Sequence, residues 1–186
     1  MVIHAYSLGY FPMPSGVDQE IAWYKPNPRA ILPLEQFHSS KSFKKFLRQC
    51  NFTATINQDF KAVISGCADR KETWINQEIK DCYIRLFELG YAHSIEVWSE
   101  SELIGGLYGI GLEKAFFAES MFSKRSNASK FALKFLVEHL KRHNFALLEV
   151  QFMNPHLKTL GAVEISDEKY MEKLQIALDA TRNTNC

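Results

Sequence analysis

Apolar positions recur with helical spacing in several stretches of the chain. Ile75, Ile79, Cys82, Leu86 and Leu89 fall at i, i+4, i+7, i+11 and i+14, and Gly90 follows as a stop signal. This pattern predicts an amphipathic helix. A second helix is expected from about Ala128 to Arg142, burying Ala128, Phe131, Phe135 and Leu136. Shorter helices are expected after Ser39 or Ser40, with Phe43, Phe46 and Leu47 inward and the lysines outward, and after Asn57, with Phe60, Val63, Ile64 and Cys67 on one face. Ser166 can cap a last helix around Tyr170 and Leu174. Strand patterns cover Phe52–Ile56, His93–Trp98, Glu102–Tyr108, Ala115–Phe122 and Leu147–Met153, with a short one at Val163–Ile165. The middle three, joined by short polar turns, read as an antiparallel meander.

The first thirty-odd residues differ in character. Gly9, Pro12, Pro14, Gly16, Pro26, Pro28 and Pro33 crowd there, and each proline restricts its own and the preceding residue. Loop and short strand are expected. The order of helix, helix, three antiparallel strands, helix and strand is that of a GNAT-type N-acyltransferase. Acyl-CoA members of that fold carry a Gly-rich pyrophosphate loop where the third strand meets the helix. The junction here, Ser123-Lys-Arg-Ser-Asn-Ala-Ser-Lys130, has no such glycines. This speaks against coenzyme A.

Composition narrows the classes further. Of 186 residues, 46% are hydrophobic and 23% charged, as in an ordinary globular chain, which excludes disorder and a small disulfide scaffold. The apolar runs are too short to span a membrane, and no signal-peptide pattern opens the sequence, so a cytoplasmic protein is expected. Cys50, Cys67, Cys82 and Cys186 form no C-x-x-C pair and are expected to be reduced thiols. The net charge is +1, but Gln36 to Gln58 contains no acid while holding Lys41, Lys44, Lys45 and Arg48. That segment is either a solvated helix face or a phosphate-contacting patch. His139 and His143 have the i, i+4 spacing of a metal pair without the Glu of H-E-x-x-H, so two solvated histidines are the plainer reading.

Candidate chemistry lies on strands. Along Leu147–Met153, Leu148, Val150 and Phe152 should face one way and Glu149 and Gln151 the other, in a half-exposed strand or in a site. Glu119 sits within Phe116-Phe-Ala-Glu-Ser-Met-Phe122, where an isolated charge is expensive to bury, so a hydrogen-bonded site residue is expected.

Nine stretches, in order along nearly the whole chain, then point to one family: Gly9-Tyr-Phe-Pro12, Trp23-Tyr-Lys-Pro-Asn-Pro-Arg29, Gly66-Cys-Ala-Asp-Arg70, Thr73-Trp-Ile75, His93-Ser-Ile-Glu-Val-Trp98, Gly105-Gly-Leu-Tyr-Gly109, Glu119-Ser-Met-Phe-Ser123, Asn127-Ala-Ser-Lys130 and Leu160-Gly-Ala162. The chain resembles the leucyl/phenylalanyl-tRNA–protein transferases. The resemblance implies an α+β fold. A GNAT-like catalytic domain, a mixed sheet flanked by helices, would span residues 58–186, and a small, N-terminally shortened α/β lobe residues 1–57. It implies transfer of Leu or Phe from aminoacyl-tRNA to proteins beginning with Arg or Lys, marking them for degradation under the N-end rule. Leu-tRNA and Phe-tRNA would be donors, with Met-tRNA a further candidate, and no cofactor, metal or membrane would take part. The family's catalytic positions fall on Glu119, Glu149 and Gln151. Its apolar aminoacyl pocket falls on Leu107, Phe116, Leu133, Leu136 and Leu148, and its aromatic at the tRNA end on Trp74. For the leucines, periodicity alone reads as core. The tRNA would lie on Lys41, Lys44, Lys45 and Arg48. The family pattern has aspartate at position 149, and serine and aspartate where this chain has Lys25 and Asn27.

The implied reaction is ester aminolysis. Glu149 is expected to orient the attacking amine or take its proton, Gln151 to hold reacting groups through its amide, and Glu119 to bind a cationic N-terminal residue or fix the aminoacyl amine. Two rivals stand beside it: an acyl-CoA N-acyltransferase, separable by coenzyme A binding, and a catalytically weak tRNA-binding protein, separable by turnover.

Overall fold

A computed structural model describes residues 2–15, 20–71 and 73–180. Gly16 and Cys186 lie outside the described residues. The N-terminal stretch, expected as loop and strand, begins with a helix, α1 (Val2–Ser7), followed by a hairpin of β1 (Phe11–Ser15) and β2 (Glu20–Tyr24). Six residues are too few to be helical on propensity alone. Tyr6, wholly buried in the core, pins the turn in place.

Then come β3 (Arg29–Ile31), α2 (Lys41–Gln49), β4 (Phe52–Ile56), α3 (Phe60–Ala68) and α4 (Gln77–Glu88). Ser40 caps α2, and Asn76 caps α4 through the amide of Ile79. The cap of α3 is Asp59, not Asn57. Asn57 takes a left-handed turn (φ 58°) and its side chain bonds the amide of Ser94 and the ring of His93. On α4 the buried face is Ile79, Tyr83 and Leu86, while Cys82 is half-buried and Leu89 exposed.

The meander follows as β5 (Ala92–Ser99), β6 (Glu102–Leu112) and β7 (Ala115–Ser123). Helix α5 (Ala128–Arg142) crosses over to β8 (Leu147–Gln151), which pairs parallel to β7. Helix α5 buries Ala132, Leu133, Leu136, Val137 and Leu140 with Ala128, while Phe131 and Phe135 lie half-buried at its margins. It seats close to β6: a Cβ on Gly105 would stand 2.6 Å from that of Ala128. The chain ends with α6 (Pro155–Thr159), β9 (Val163–Ile165) and α7 (Asp167–Asp179), the last capped by Ser166.

The large sheet has seven strands in the order β4-β5-β6-β7-β8-β3-β9. It is mixed, since β7 and β8 are parallel and the other pairs antiparallel. Helices flank it, giving the expected α+β arrangement of a mixed sheet flanked by helices. One core, around Tyr6, Phe60, Tyr83, Tyr108, Phe117 and Tyr170, joins residues of α1, α3, α4 and α7 to the sheet. The other, around Leu107, Phe116, Leu133, Leu136 and Leu148, joins α5 to it. From the expected 1–57 lobe, β3 and β4 are hydrogen-bonded into this sheet.

Candidate active site

Three polar residues of β7 and β8 stand inside this fold. Glu119 is the extra residue of a bulge: Tyr108 pairs with Ser120 and Gly109 with Ala118, leaving Glu119 with nothing opposite. Gly109 makes room for the bulge, because a Cβ there would lie 2.2 Å from the carbonyl oxygen of Phe117. Glu119 is only 7% exposed. Tyr6 donates to its Oε1 at 2.6 Å, and the Tyr83 hydroxyl meets that of Tyr6 at 2.5 Å. Gln151 donates through Nε2 to its Oε2 at 3.0 Å. Burial pushes Glu119 up to about 7, with the Glu149 charge adding to the rise and the Tyr6, Tyr83 and Gln151 hydrogen bonds opposing it.

Glu149 lies behind this pair, wholly buried. Arg29 Nε stands 2.8 Å from its Oε1, with the N–H off the line to the oxygen, so the pair acts as charge on charge. Tyr170 reaches Oε2 at 3.5 Å. Burial pushes Glu149 also up to about 7, against the pull of Arg29, Tyr170 and the backbone N–H of Gln151. The Arg29 guanidinium lies between the rings of Phe11 and Tyr170, 5.1 and 4.3 Å from their centroids, and Nη2 donates to the carbonyl of Gly9 at 2.6 Å. Gln151 stands beside both acids: its side chain bonds Glu119, and it follows Glu149 by two residues on β8. It holds a left-handed backbone (φ 62°), a conformation that costs about 1–3 kcal/mol and persists only where its surroundings impose it.

That turn also corrects the expected strand. β8 ends at Gln151 rather than Met153, and all five of its residues are buried, so it is not a half-exposed strand. The alternation stops there: Phe152 is exposed and meets Phe11 edge-on at 5.7 Å.

A cleft of about 250 Å³ opens over this network. Glu119 and Gln151 lie in its wall, with Leu107, Val150 and Leu157 as apolar surface and Trp74 and Arg70 at its margin. Glu149 does not reach it. Of the expected pocket residues, Leu107 and Trp74 line this cleft, whereas Phe116, Leu133, Leu136 and Leu148 are buried in the core and do not line it. Phe116 and Leu136 instead border a separate cavity of about 130 Å³ that also meets His93 and His139. The His139 and His143 rings lie 4.2 Å apart and tilted by 33°, and among the described residues no group of three His, Cys, Asp or Glu could hold a metal ion. Lys41, Lys44, Lys45 and Arg48 are exposed on α2, next to the edge strand β4.

Sequence reasoning gave no role to Tyr6, Arg29, Arg70, Tyr83 or Tyr170. Arg29 and Arg70 do end two of the family-like stretches, and Tyr83 follows Ile79 by four on the buried face of α4. Those were the available signals.

An α+β mixed-sheet protein with a buried acid–amide–acid network at an apolar-walled cleft has the means to bind an acyl group and manage a proton beside it, the minimum for group transfer. The comparisons with known proteins specify the group. The family model described as leucyl/phenylalanyl-tRNA protein transferase matches residues 31–175, and the model of that family's N-terminal domain matches residues 1–27. The protein of that name from Ruegeria sp. (strain TM1040) is 49% identical over 180 residues, 96% of this chain and 86% of the relative. The one from Cereibacter sphaeroides (strain KD131 / KCTC 12085) is 47% identical over 179 residues, 96% and 84% of the two chains. The chain therefore belongs to the leucyl/phenylalanyl-tRNA protein transferase family, a family of aminoacyltransferases. Among solved structures, a ribosomal-protein-alanine N-acetyltransferase from Brucella melitensis biovar Abortus 2308 aligns with TM-score 0.43 at 11% identity over 68% of this chain and 90% of that one. No described helix is long and apolar enough to cross a membrane.

Proposed function

We propose that this chain transfers leucine or phenylalanine from aminoacyl-tRNA to the α-amine of proteins beginning with Arg or Lys, in the cytoplasm, marking them for degradation. The observation that carries the reading is Glu119 and Gln151, hydrogen-bonded to each other in the wall of an apolar-lined cleft. In the reaction the amine nitrogen forms a bond to the ester carbonyl carbon, the bond from that carbon to the ribose 3′-oxygen breaks, and the proton the nitrogen loses on bonding goes to that oxygen, which leaves as the 3′-hydroxyl. The amine arrives as an ammonium with an ordinary pKa of about 7.7–8.0 and must lose a proton first. Glu119, raised to about 7, is matched to accept it. It is the carboxylate on the cleft, and this supports giving it the role of proton acceptor in place of Glu149.

Glu149, paired with Arg29, then acts from behind through its charge, which adds to the rise of Glu119, while the Gln151 amide faces Glu119 and the reacting groups. Leu107, Val150 and Leu157 offer an apolar wall to the aminoacyl side chain, with the core leucines beneath setting its shape. Trp74 offers a ring on which the terminal adenine can stack. The basic face of α2 would take the acceptor arm. It borders β4, three strand spacings or roughly 14 Å from β7.

The test is incubation with Leu-tRNA or Phe-tRNA and an Arg-starting peptide, followed by mass spectrometry. The peptide should gain one Leu or Phe residue at its N-terminus. No gain from either tRNA, or an acyl group gained from acyl-CoA instead, overturns the reading.

A further inference from the structure

The bulged end of β7 borders two clefts. The second, also about 250 Å³, lies between the C-terminal end of α3 and the start of α5, and shares Arg70 and Met121 with the first. Its other polar lining comes from Ser123, Lys124, Ser129 and Asp69. Arg70 is fixed in place: Nη2 donates to the carbonyl of Met121 and to Ser120 Oγ at 3.4 Å. That anchors the guanidinium at the boundary of the two clefts while its other N–H groups make no hydrogen bond among the described residues. Lys124 is exposed, its backbone N–H donates to the carbonyl of Ile104, and its ammonium has no hydrogen-bond or ion-pair partner among those residues. Its neighbour Arg125, by contrast, is engaged by Glu102 at 2.5 Å and Ser99 at 3.0 Å. Asp69 is the one carboxylate in the lining, so the cleft carries a net positive charge of one.

We propose that this second cleft binds a phosphate of the donor: the 5′-phosphate of the terminal nucleotide whose ribose carries the aminoacyl ester. The inference rests on the functional reading above, which places that ester over Glu119 and Gln151. One nucleotide links a 3′-ester to a 5′-phosphate, and two adjoining clefts with an arginine between them match that layout. The guanidinium offers directed N–H donors and the ammonium a mobile charge, a combination suited to phosphate oxygens. The absence of glycines at the Ser123–Lys130 junction fits a single phosphate held by side chains rather than a pyrophosphate cradled by backbone.

The experiment compares two donors that differ by one phosphate, 3′-O-phenylalanyl-adenosine 5′-monophosphate and 3′-O-phenylalanyl-adenosine, with Phe-tRNA as reference and an Arg-starting peptide as acceptor. The quantity read is the ratio of kcat/KM with the phosphate to that without it. In the unaltered chain the ratio should be roughly tenfold, as for a charge-assisted hydrogen bond. Lys124→Ala should lower it severalfold and Lys124→Glu should bring it to one or below, with the melting temperature unchanged because the side chain is exposed. Arg70→Lys should retain part of it. A ratio of one in the unaltered chain, or a ratio that neither Lys124 variant moves, overturns the proposal. Failure of the functional reading looks different: no transfer from Phe-tRNA itself.

Discussion

Glu119 and Glu149 carry the same consequence for pH. Burial raises both from the ordinary 4.5 to about 7, so between those values the folded chain holds protons that the unfolded chain has released. Stability from these groups is therefore full below about 4.5 and is lost as pH rises through about 7. Thermal denaturation should show a melting temperature that falls over this window, and Glu119→Gln should make the fall shallower. Transfer moves the opposite way, since the proton acceptor must be ionised: kcat/KM should rise through about pH 7. Glu119→Gln should remove that limb and cost about 10²–10⁴-fold. A variant that keeps both the limb and the rate takes Glu119 out of the chemistry. Arg29 supplies a second test. Arg29→Met strands a buried carboxylate and should destabilise the chain by about 3–5 kcal/mol, read from the urea midpoint. Arg29→Met with Glu149→Gln should recover much of that loss. Equal losses in the single and the double variant would show that Arg29 matters through its packing on Phe11 and Tyr170 alone.

Among the elements, the β6–β7 ladder decides where Glu119 points. Without the bulge, strict alternation would continue through position 119, and Gly109 is what lets the two strands close around the extra residue. Gly109→Ala should cost about 1–3 kcal/mol by overpacking against Phe116 and Phe117, and should lower transfer further than the shift in melting temperature explains. Full activity in a folded Gly109→Ala chain would detach the bulge from the site. Element identity was legible where the local signals agree. Helix α5 and strands β4 and β9 have the bounds expected from periodicity and turn residues. Helix α1 was illegible because its stability comes from Tyr6 in a core assembled by distant segments. The α3 cap was expected at Asn57 and falls on Asp59, an equally good capping type, because the Asn57 side chain is taken by the amide of Ser94 on β5.

Across the whole molecule, charge is placed unevenly. The exposed lysines of α2 lie at the β4 edge, away from the cleft wall, so they can add affinity for a long anionic substrate without touching the reacting groups. Replacing Lys44, Lys45 and Arg48 by Ala should weaken aminoacyl-tRNA binding and reduce the slope of log affinity against log salt by up to about three, one for each phosphate no longer neutralised. An unchanged slope returns α2 to a solvated face. The sequence alone determined the α+β order, the presence of α4 and α5 with part of their buried faces (Ile79 and Leu86, Ala128 and Leu136), and, through nine family-like stretches, the family and three polar positions worth watching. Those are carried by local periodicity and by short runs of residue identity, both readable along the chain. Only the tertiary structure decided which acid meets the cleft. Glu119 and Glu149 are both strand carboxylates in apolar surroundings, and nothing local separates them. Their difference arises because β3 brings Arg29 beside one and α1 brings Tyr6 beside the other, pairings that span 120 and 113 residues of chain and that no local pattern encodes.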